Sequence, residues 1–426
     1  MKKLWLRLSQ LTQGFWFVPA MFTVLAVVLA ELGISLEEQY GVPKQLTFIY
    51  GGGETGARSL LGAVASSSIG VAGTVFSITI AALSYAAGSM GPRLLDNFTR
   101  DRGNQVVLGI FIATFAFTLY TLRAIQGGEE NPFVPHYNVT ATMLLALACI
   151  GALVYFIAHV TASINMTHVV NLLRDDLEEA LKEATEQRED PQVRPASPPE
   201  AFWEGGEELR AKSSGYLQLL DIEGLVKRAD ADDVALRLYV KPGDYVFRNS
   251  VVAVGVPRLP EKVLDALTLG DTRMRGQDLE YSVRQLAEVA ARALSPGTND
   301  PVTAIDVIDR FGDALCGLGN RDWPDGVYSS GDHLRLVRST TTFGTLLDSM
   351  FHMIRQYGKD SPAVTLRLLE VLRTVASCTD DAERRNELSR HAELVYTDAL
   401  ENTPNEADKA ELKERYLQFK TSLIRL

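Results

Sequence analysis

The chain has 426 residues, enough for two or three domains, and a formal net charge of −11 at neutral pH. That charge excludes a nucleic-acid binder, which needs a basic surface to displace counterions. Three cysteines, Cys149, Cys316 and Cys378, are too few for a disulfide framework and read as reduced packing residues.

Nearly all the long apolar runs precede residue 165, and most charged residues follow it. Four stretches, at 15–34, 59–88, 106–122 and 139–158, are long and apolar enough to cross a bilayer, which takes ~20 residues. None carries a charge at its centre, where one costs about 2.5–3.5 kcal/mol on insertion. Lys2, Lys3 and Arg7 ahead of the first stretch resemble a secretory leader. Its apolar core is too long for one, and an uncleaved anchor is expected. Pro19 is expected to kink this first helix.

Basic residues near the span ends set the orientation. Lys2, Lys3 and Arg7 precede span one, and Arg93, Arg100 and Arg102 lie between spans two and three. The other loops hold only Lys44, Arg58 and the span-edge Arg123, so both termini are expected on the cytoplasmic side. Trp16, Tyr50, Tyr120 and Tyr137 fall near the expected interfaces, and His159 at the inner end of span four suits a capping or interfacial role.

The second span is unusual. At 100° per residue Gly62, Ser66, Gly70, Gly73, Ser77, Ala81, Ser84 and Gly88 fall within an arc of roughly 100°, with Ile80 the one bulky intruder. Small residues let helix backbones approach closely in a bundle or between subunits. Hydroxyls and exposed backbone equally suit a hydrated path. The absence of a charge in the middle of any span argues against ion-coupled transport and leaves passive conduction or a non-transport role.

Beyond the spans, Val169, Leu172, Leu173, Leu177 and Leu181 share one face of an amphipathic helix, and a proline-rich linker follows at 191–199. A small mixed unit is expected at 206–260. It has a strand at 216–220, a short helix at 222–228, an alternating run at 234–240, the turn Lys241-Pro242-Gly243-Asp244 and a second β-rich stretch. From residue 261 the pattern is mainly helical. The densest polar cluster is QDLEYSVRQLAEVAARALSPGTNDPVTAIDVIDRF, where Asn299 or Asp300 caps a helix that has Pro301 at its first position. With Arg284 or Arg292 folded back beside it, this helix start offers an anion site made of Arg284, Arg292, Ser295, Gly297, Asn299, Asp300, Thr303 and Asp306. Equally, SPGTNDP is a well-made turn between helices, with the arginines paired to Asp306 or Asp309.

No P-loop, dinucleotide fingerprint or nucleophile elbow is present, and the six histidines are scattered without metal-site spacing. No metal, cofactor or catalytic residue is therefore expected. An enzyme would need a polar pocket around Arg284, Asn299, Asp300 and Asp306.

TVFSITIAALSYAAGSMGPRLLDNFTRDRGNQVVLGIFIATF closely resembles a family of predicted bacterial membrane proteins classed as a domain of unknown function. GYLQLLDIEGL, KPGDYV and DLEYSVRQLAEVAARALSPGTNDPVTAID are similar to the same family, and the resemblance runs from near the N-terminus to about residue 390. It implies a bacterial inner-membrane location and supplies no catalytic residues.

The expected architecture is a membrane α-helical protein with four transmembrane helices over 1–162, an amphipathic helix and linker over 163–205, a small α/β unit over 206–260 and a helical domain over 261–426. The expected function is an oligomeric ion or small-solute channel with a cytoplasmic ligand-sensing domain. The alternative is a membrane-anchored scaffold or signalling protein. The expected partners are the lipid bilayer, further copies of the chain, and an anionic small ligand or a cytoplasmic protein.

Overall fold

A computed structural model describes residues 15–41, 49–89, 101–126, 133–163, 166–185, 198–274, 276–319 and 321–424. Lys2, Lys3, Arg7, Lys44, Arg93, Arg100 and most of the 191–199 linker lie outside them. The chain forms two compact units, Met1–His168 and Val169–Leu426.

Among the described residues the first unit holds four helices: α1 (Phe17–Tyr40), α2 (Glu54–Ser89), α3 (Arg102–Ala124) and α4 (His136–Ser163). Each is long and apolar enough to cross a membrane. α3 packs against all three others. Half of its apolar stretch is buried, against 22–28% for its neighbours. The shortest of the four expected spans is therefore the axis of the bundle. Val107, Leu108 and Phe111 meet Ala72 and Val75 of α2 and Phe156 and Val160 of α4. The outer faces of α1 and α4 carry exposed Val24, Leu25, Leu29, Leu144, Leu147 and Val154, as lipid-facing surfaces do. Pro19 is the third residue of α1. A first-turn proline removes no intrahelical donor, so it starts the helix and does not kink it.

Polar residues of this bundle are answered internally at its two ends. Asp101 caps α3, accepting from Gly103 N at 2.8 Å, and lies 2.6 Å from His159 Nε2. A Cβ on Gly103 would stand 2.8 Å from both His159 Nε2 and Tyr155 Oη, which is why glycine follows the cap. Asn104 and Gln105 are buried beside it. At the other end Glu37 of α1 accepts from the backbone N–H groups of His136 and Tyr137 at 2.9 Å, satisfying orphan donors where α4 begins. Tyr120 donates to Glu31 at 2.8 Å, and buried Asn138 donates to Ala30 O at 2.9 Å.

The second unit opens with α5 (Met166–Ala184), whose Val169, Val170, Leu173, Leu177 and Leu181 are buried. Leu172 is half exposed, so the buried stripe takes in Val170 in its place. Two sheets follow. Strands β1 (Glu207–Arg210), β3 (Ala235–Leu238), β5 (Val251–Val256), β7 (Val327–Ser330) and β8 (His333–Arg338) form one in the order β1-β5-β3-β8-β7. Its β3–β8 pair is parallel and the rest antiparallel. Strands β2 (Gly215–Leu220), β4 (Tyr245–Val246) and β6 (Leu267–Gly270) form the other, in the order β4-β2-β6. Helix α6 (Ile222–Ala231), capped by Asp221, buries Leu225 against Leu220, Leu236 and Leu336.

The remaining helices are α7 (Leu279–Ala293), α8 (Pro301–Leu318), α9 (Phe343–Gly358), α10 (Pro362–Ser377), α11 (Ala382–Asn402) and α12 (Glu406–Ile424). Phe311 of α8 meets Phe351 of α9 edge-on at 5.8 Å in their core. The Cys316 and Cys378 thiols, read from sequence as separate packing residues, face each other at 2.8 Å. Burial, with Cys378 beside it, pushes the Cys316 thiol up to about 12, so it is protonated and unreactive at neutral pH.

Candidate functional site

Two regions gather the residues that the sequence singles out. The first is α2. Its buried face is Leu61, Ala65, Ser68, Ala72, Val75 and Thr79. Ser66, Gly70, Gly73, Ser77 and Ser84 are exposed and Gly62 half-buried, on a face about 150° round the helix from the buried one. A Cβ placed on Gly62, Gly70 or Gly73 meets nothing within 4 Å. Among the described residues the stripe therefore takes no part in packing this chain's own bundle. Ser77 donates to Gly73 O at 2.9 Å, which keeps its proton inside the helix and leaves its lone pairs outward.

The second region is a cavity of about 700 Å³ in the C-terminal unit. It is lined by Gln218, Leu219 and Ile222 around the end of β2, Pro242 of the turn, Gln277 and Leu279 at the start of α7, and Trp323, Tyr328 and Arg338. Three separate segments that carry the family resemblance thus meet at one place. Gln277 holds them together, donating to Leu220 O at 3.2 Å and accepting from Leu220 N at 2.8 Å. Arg338 donates to the Tyr328 hydroxyl at 3.1 Å and lies over that ring. Trp323 donates its ring N–H to Thr341 O and meets Phe343 edge-on. Glu183 and Asp322 bring acidic groups to the rim.

Beneath Pro242 lies a buried charge cluster. Lys241 bonds Glu280, and Arg284 reaches the same carboxylate at 2.9 Å. Arg273 clasps Asp278 at 2.7 and 3.1 Å. Gly243 has φ +92, and a side chain there would strike Arg273 and Asp278. Glycine is needed on both counts. Burial pushes the Asp278 carboxyl above its ordinary range, with Arg273 opposing. Burial also acts upward on Glu280, but Lys241 and Arg284 together outweigh it and hold the carboxyl below the ordinary range. Sequence reading noticed the Lys241–Asp244 turn, but nothing local marks its partners on α7.

The eight residues proposed around SPGTNDP do not line this cavity. Arg284 pairs with Glu280 and Arg292 with Glu288 along their own helix, and Asp309 is held by Arg367 at 2.6 Å. Ser295 Oγ donates to Arg292 O at 2.7 Å, and its carbonyl accepts from Thr298 N and Asn299 N. Asn299 takes a left-handed φ of +48, and Gly297 is exposed with open space around it. Asp300 caps α8, accepting from Thr303 N at 3.1 Å and from the Thr303 hydroxyl at 2.6 Å. Asp306 is half-buried on α8. The helix start thus already holds a carboxylate, its own Asp300, where an anionic ligand would sit.

A family model described as "Predicted membrane protein (DUF2254)" matches residues 12–374. Uncharacterized proteins of Mycobacterium bovis and Mycobacterium tuberculosis are each 32% identical over 373 residues, covering 83% of this chain and 70% of theirs. No solved structure matches the chain. With its four membrane-crossing helices and its motif segments placed in the fold, the chain belongs to the DUF2254 family of predicted membrane proteins.

Proposed function

We propose that the protein is an oligomeric conductor of ions or small solutes in the bacterial inner membrane. Its second helices line a shared path, and its C-terminal unit, on the cytoplasmic side, receives a small anionic ligand that sets the state of that path. The direction of the α2 stripe carries this reading. Glycine and serine make a poor lipid-facing surface, and here they point away from the helices of their own chain. Water or another copy of the chain is the natural neighbour. The cavity supports the ligand half of the reading, since its volume lies in the small-molecule range and Arg338, over the Tyr328 ring, is among its lining residues.

The spacing of Gly62, Ser66 and Gly70, and again of Gly73, Ser77 and Ala81, favours a second reading, in which α2 helices pack dry and the protein is a signalling scaffold. Flux through purified protein in liposomes separates the two, with Ser77→Leu alongside and subunit number measured independently. Conduction lost from an assembled variant supports the path. Absence of flux in the wild type at every salt, voltage and pH, with assembly intact, supports the scaffold. Quenching of Trp323 by candidate anions, lost in Arg338→Gln, tests the cavity.

A further inference from the structure

The six histidines look scattered in the sequence, yet the fold brings two of them together with a carboxylate. Asp348 and His352 stand four apart on α9 and so share a face of that helix. His391 reaches them from α11, which packs alongside α9, and it is fully buried. His352 Nε2 is 2.7 Å and His391 Nε2 3.0 Å from the same oxygen, Asp348 Oδ1. One ligand atom from each residue falls within a mutual 4.8 Å. We propose that Asp348, His352 and His391 form a binding site for a first-row divalent metal ion, with zinc the best fit.

The donor set is the first argument. Two imidazoles and one carboxylate suit zinc and its neighbours, and are a poor set for calcium or magnesium, which take oxygen ligands. Geometry is the second. Ligand atoms around a tetrahedral zinc stand about 3.3 Å apart, given metal–ligand distances of about 2.0–2.1 Å. The Asp348–histidine separations, 2.7 and 3.0 Å, need to open by about 0.6 and 0.3 Å to reach that spacing. The third argument is convergence: from two different helices both rings present Nε2, the atom that would bind the ion, to one carboxylate oxygen.

A cation already stands at the site. Arg390 lies 2.6 Å from Asp348 Oδ1, where it supplies the positive charge that a metal would bring. It also holds Glu387 at 2.8 Å, so a metal that displaces it leaves the guanidinium paired. Asp348 and His352 keep about a third of their side-chain surface exposed, at 37% and 33%. The site is thus open on one side, as in three-ligand zinc centres that keep a fourth position for water.

The test is zinc titration of the full chain in detergent after chelator stripping, read by competition with a chromophoric chelator and by thermal melting. The expected result is one zinc per chain, with a Tm that rises on zinc addition. His352→Ala and Asp348→Asn should each weaken binding more than about 100-fold and abolish the Tm rise. His352 is partly exposed, so its variant is expected to keep the wild-type helix content, which circular dichroism checks. Arg390→Gln removes the competing cation and should tighten binding, whereas a purely hydrogen-bonded cluster gives no such gain. Cobalt in place of zinc should give the visible spectrum of a tetrahedral site. Absence of zinc binding in the wild type, or affinity unchanged in folded His352→Ala and Asp348→Asn, overturns the proposal.

Discussion

The two units of this chain differ in where they turn part of their polar surface. In the C-terminal unit the buried charges are matched within the chain: Lys241 and Arg284 on Glu280, and Arg273 on Asp278. In the membrane unit α3 turns Thr114 and Thr121 into the bundle, where each donates to a carbonyl of its own helix, while α2 turns Ser66 and Ser77 out of it. The difference teaches where the molecule is chemically finished. The C-terminal charge cluster needs nothing more than its own chain, whereas the glycines on the outer face of α2 meet nothing among the described residues.

Disturbing the finished side should give the largest effect. Lys241→Met leaves Glu280, only 5% exposed, with Arg284 as its remaining cation. Removing one partner of a buried pair costs about 3 kcal/mol, and Lys241→Arg should recover much of it. Thermal unfolding of the solubilised chain measures this. A loss below about 1 kcal/mol would mean that the cluster is open to water and would remove one half of the contrast.

Within the bundle the same logic predicts a smaller cost. Gly103→Ala inserts a methyl group against His159 and Tyr155 and should destabilise by about 2 kcal/mol. In a His159→Ala background the penalty should shrink, because one of the two closest obstructions is gone and Tyr155 is left to give way. A double-mutant cycle on melting temperature reads this coupling, and strict additivity would show that the helix end adapts without strain.

Acid sharpens the contrast inside the charge cluster. Glu280 has a lowered folded value, so its contribution is complete above the unfolded glutamate value near about 4.3 and is lost as pH falls through the lower folded one. Asp278 has a raised folded value, so the folded chain takes up this proton first and gains relative stability as pH falls toward about 3.9. Glu280→Gln should therefore flatten the fall of Tm below pH ~4, and Asp278→Asn should remove a small stabilising contribution that develops just above that pH. Identical profiles for both variants would show that neither carboxyl governs acid unfolding.

What the sequence makes legible follows from the range of each physical signal. Four spans, the small-residue arc of α2 and the Asp300–Pro301 helix start are local patterns, and all three are present in the fold. Strands β7 and β8 leave only a short trace in a stretch between helices, yet β8 completes the sheet by pairing with β3 about a hundred residues earlier. The cavity has the same origin, since Gln218, Pro242, Gln277 and Arg338 meet only after that sheet has formed. Asp348 and His352 show helical spacing in the sequence, but His391 joins them through packing of α9 on α11, which no spacing encodes. The direction of the α2 stripe depends likewise on which face α3 covers.

That direction yields the smallest expected effect on the protomer and the most informative one. Ser77→Leu and Gly70→Leu add bulk where Gly70 has open space and Ser77 is exposed, so the melting temperature of the isolated protomer should stay within about 0.5 kcal/mol of wild type. Their effect should appear only between chains. If α2 helices pack dry against one another, both variants lower the subunit number seen by mass photometry in nanodiscs. If the helices flank a hydrated path, the subunit number holds and flux falls. A protomer destabilised by more than about 1 kcal/mol would place the stripe inside the fold after all. The contrast between the two units would then reduce to one rule, with every polar face answered by its own chain.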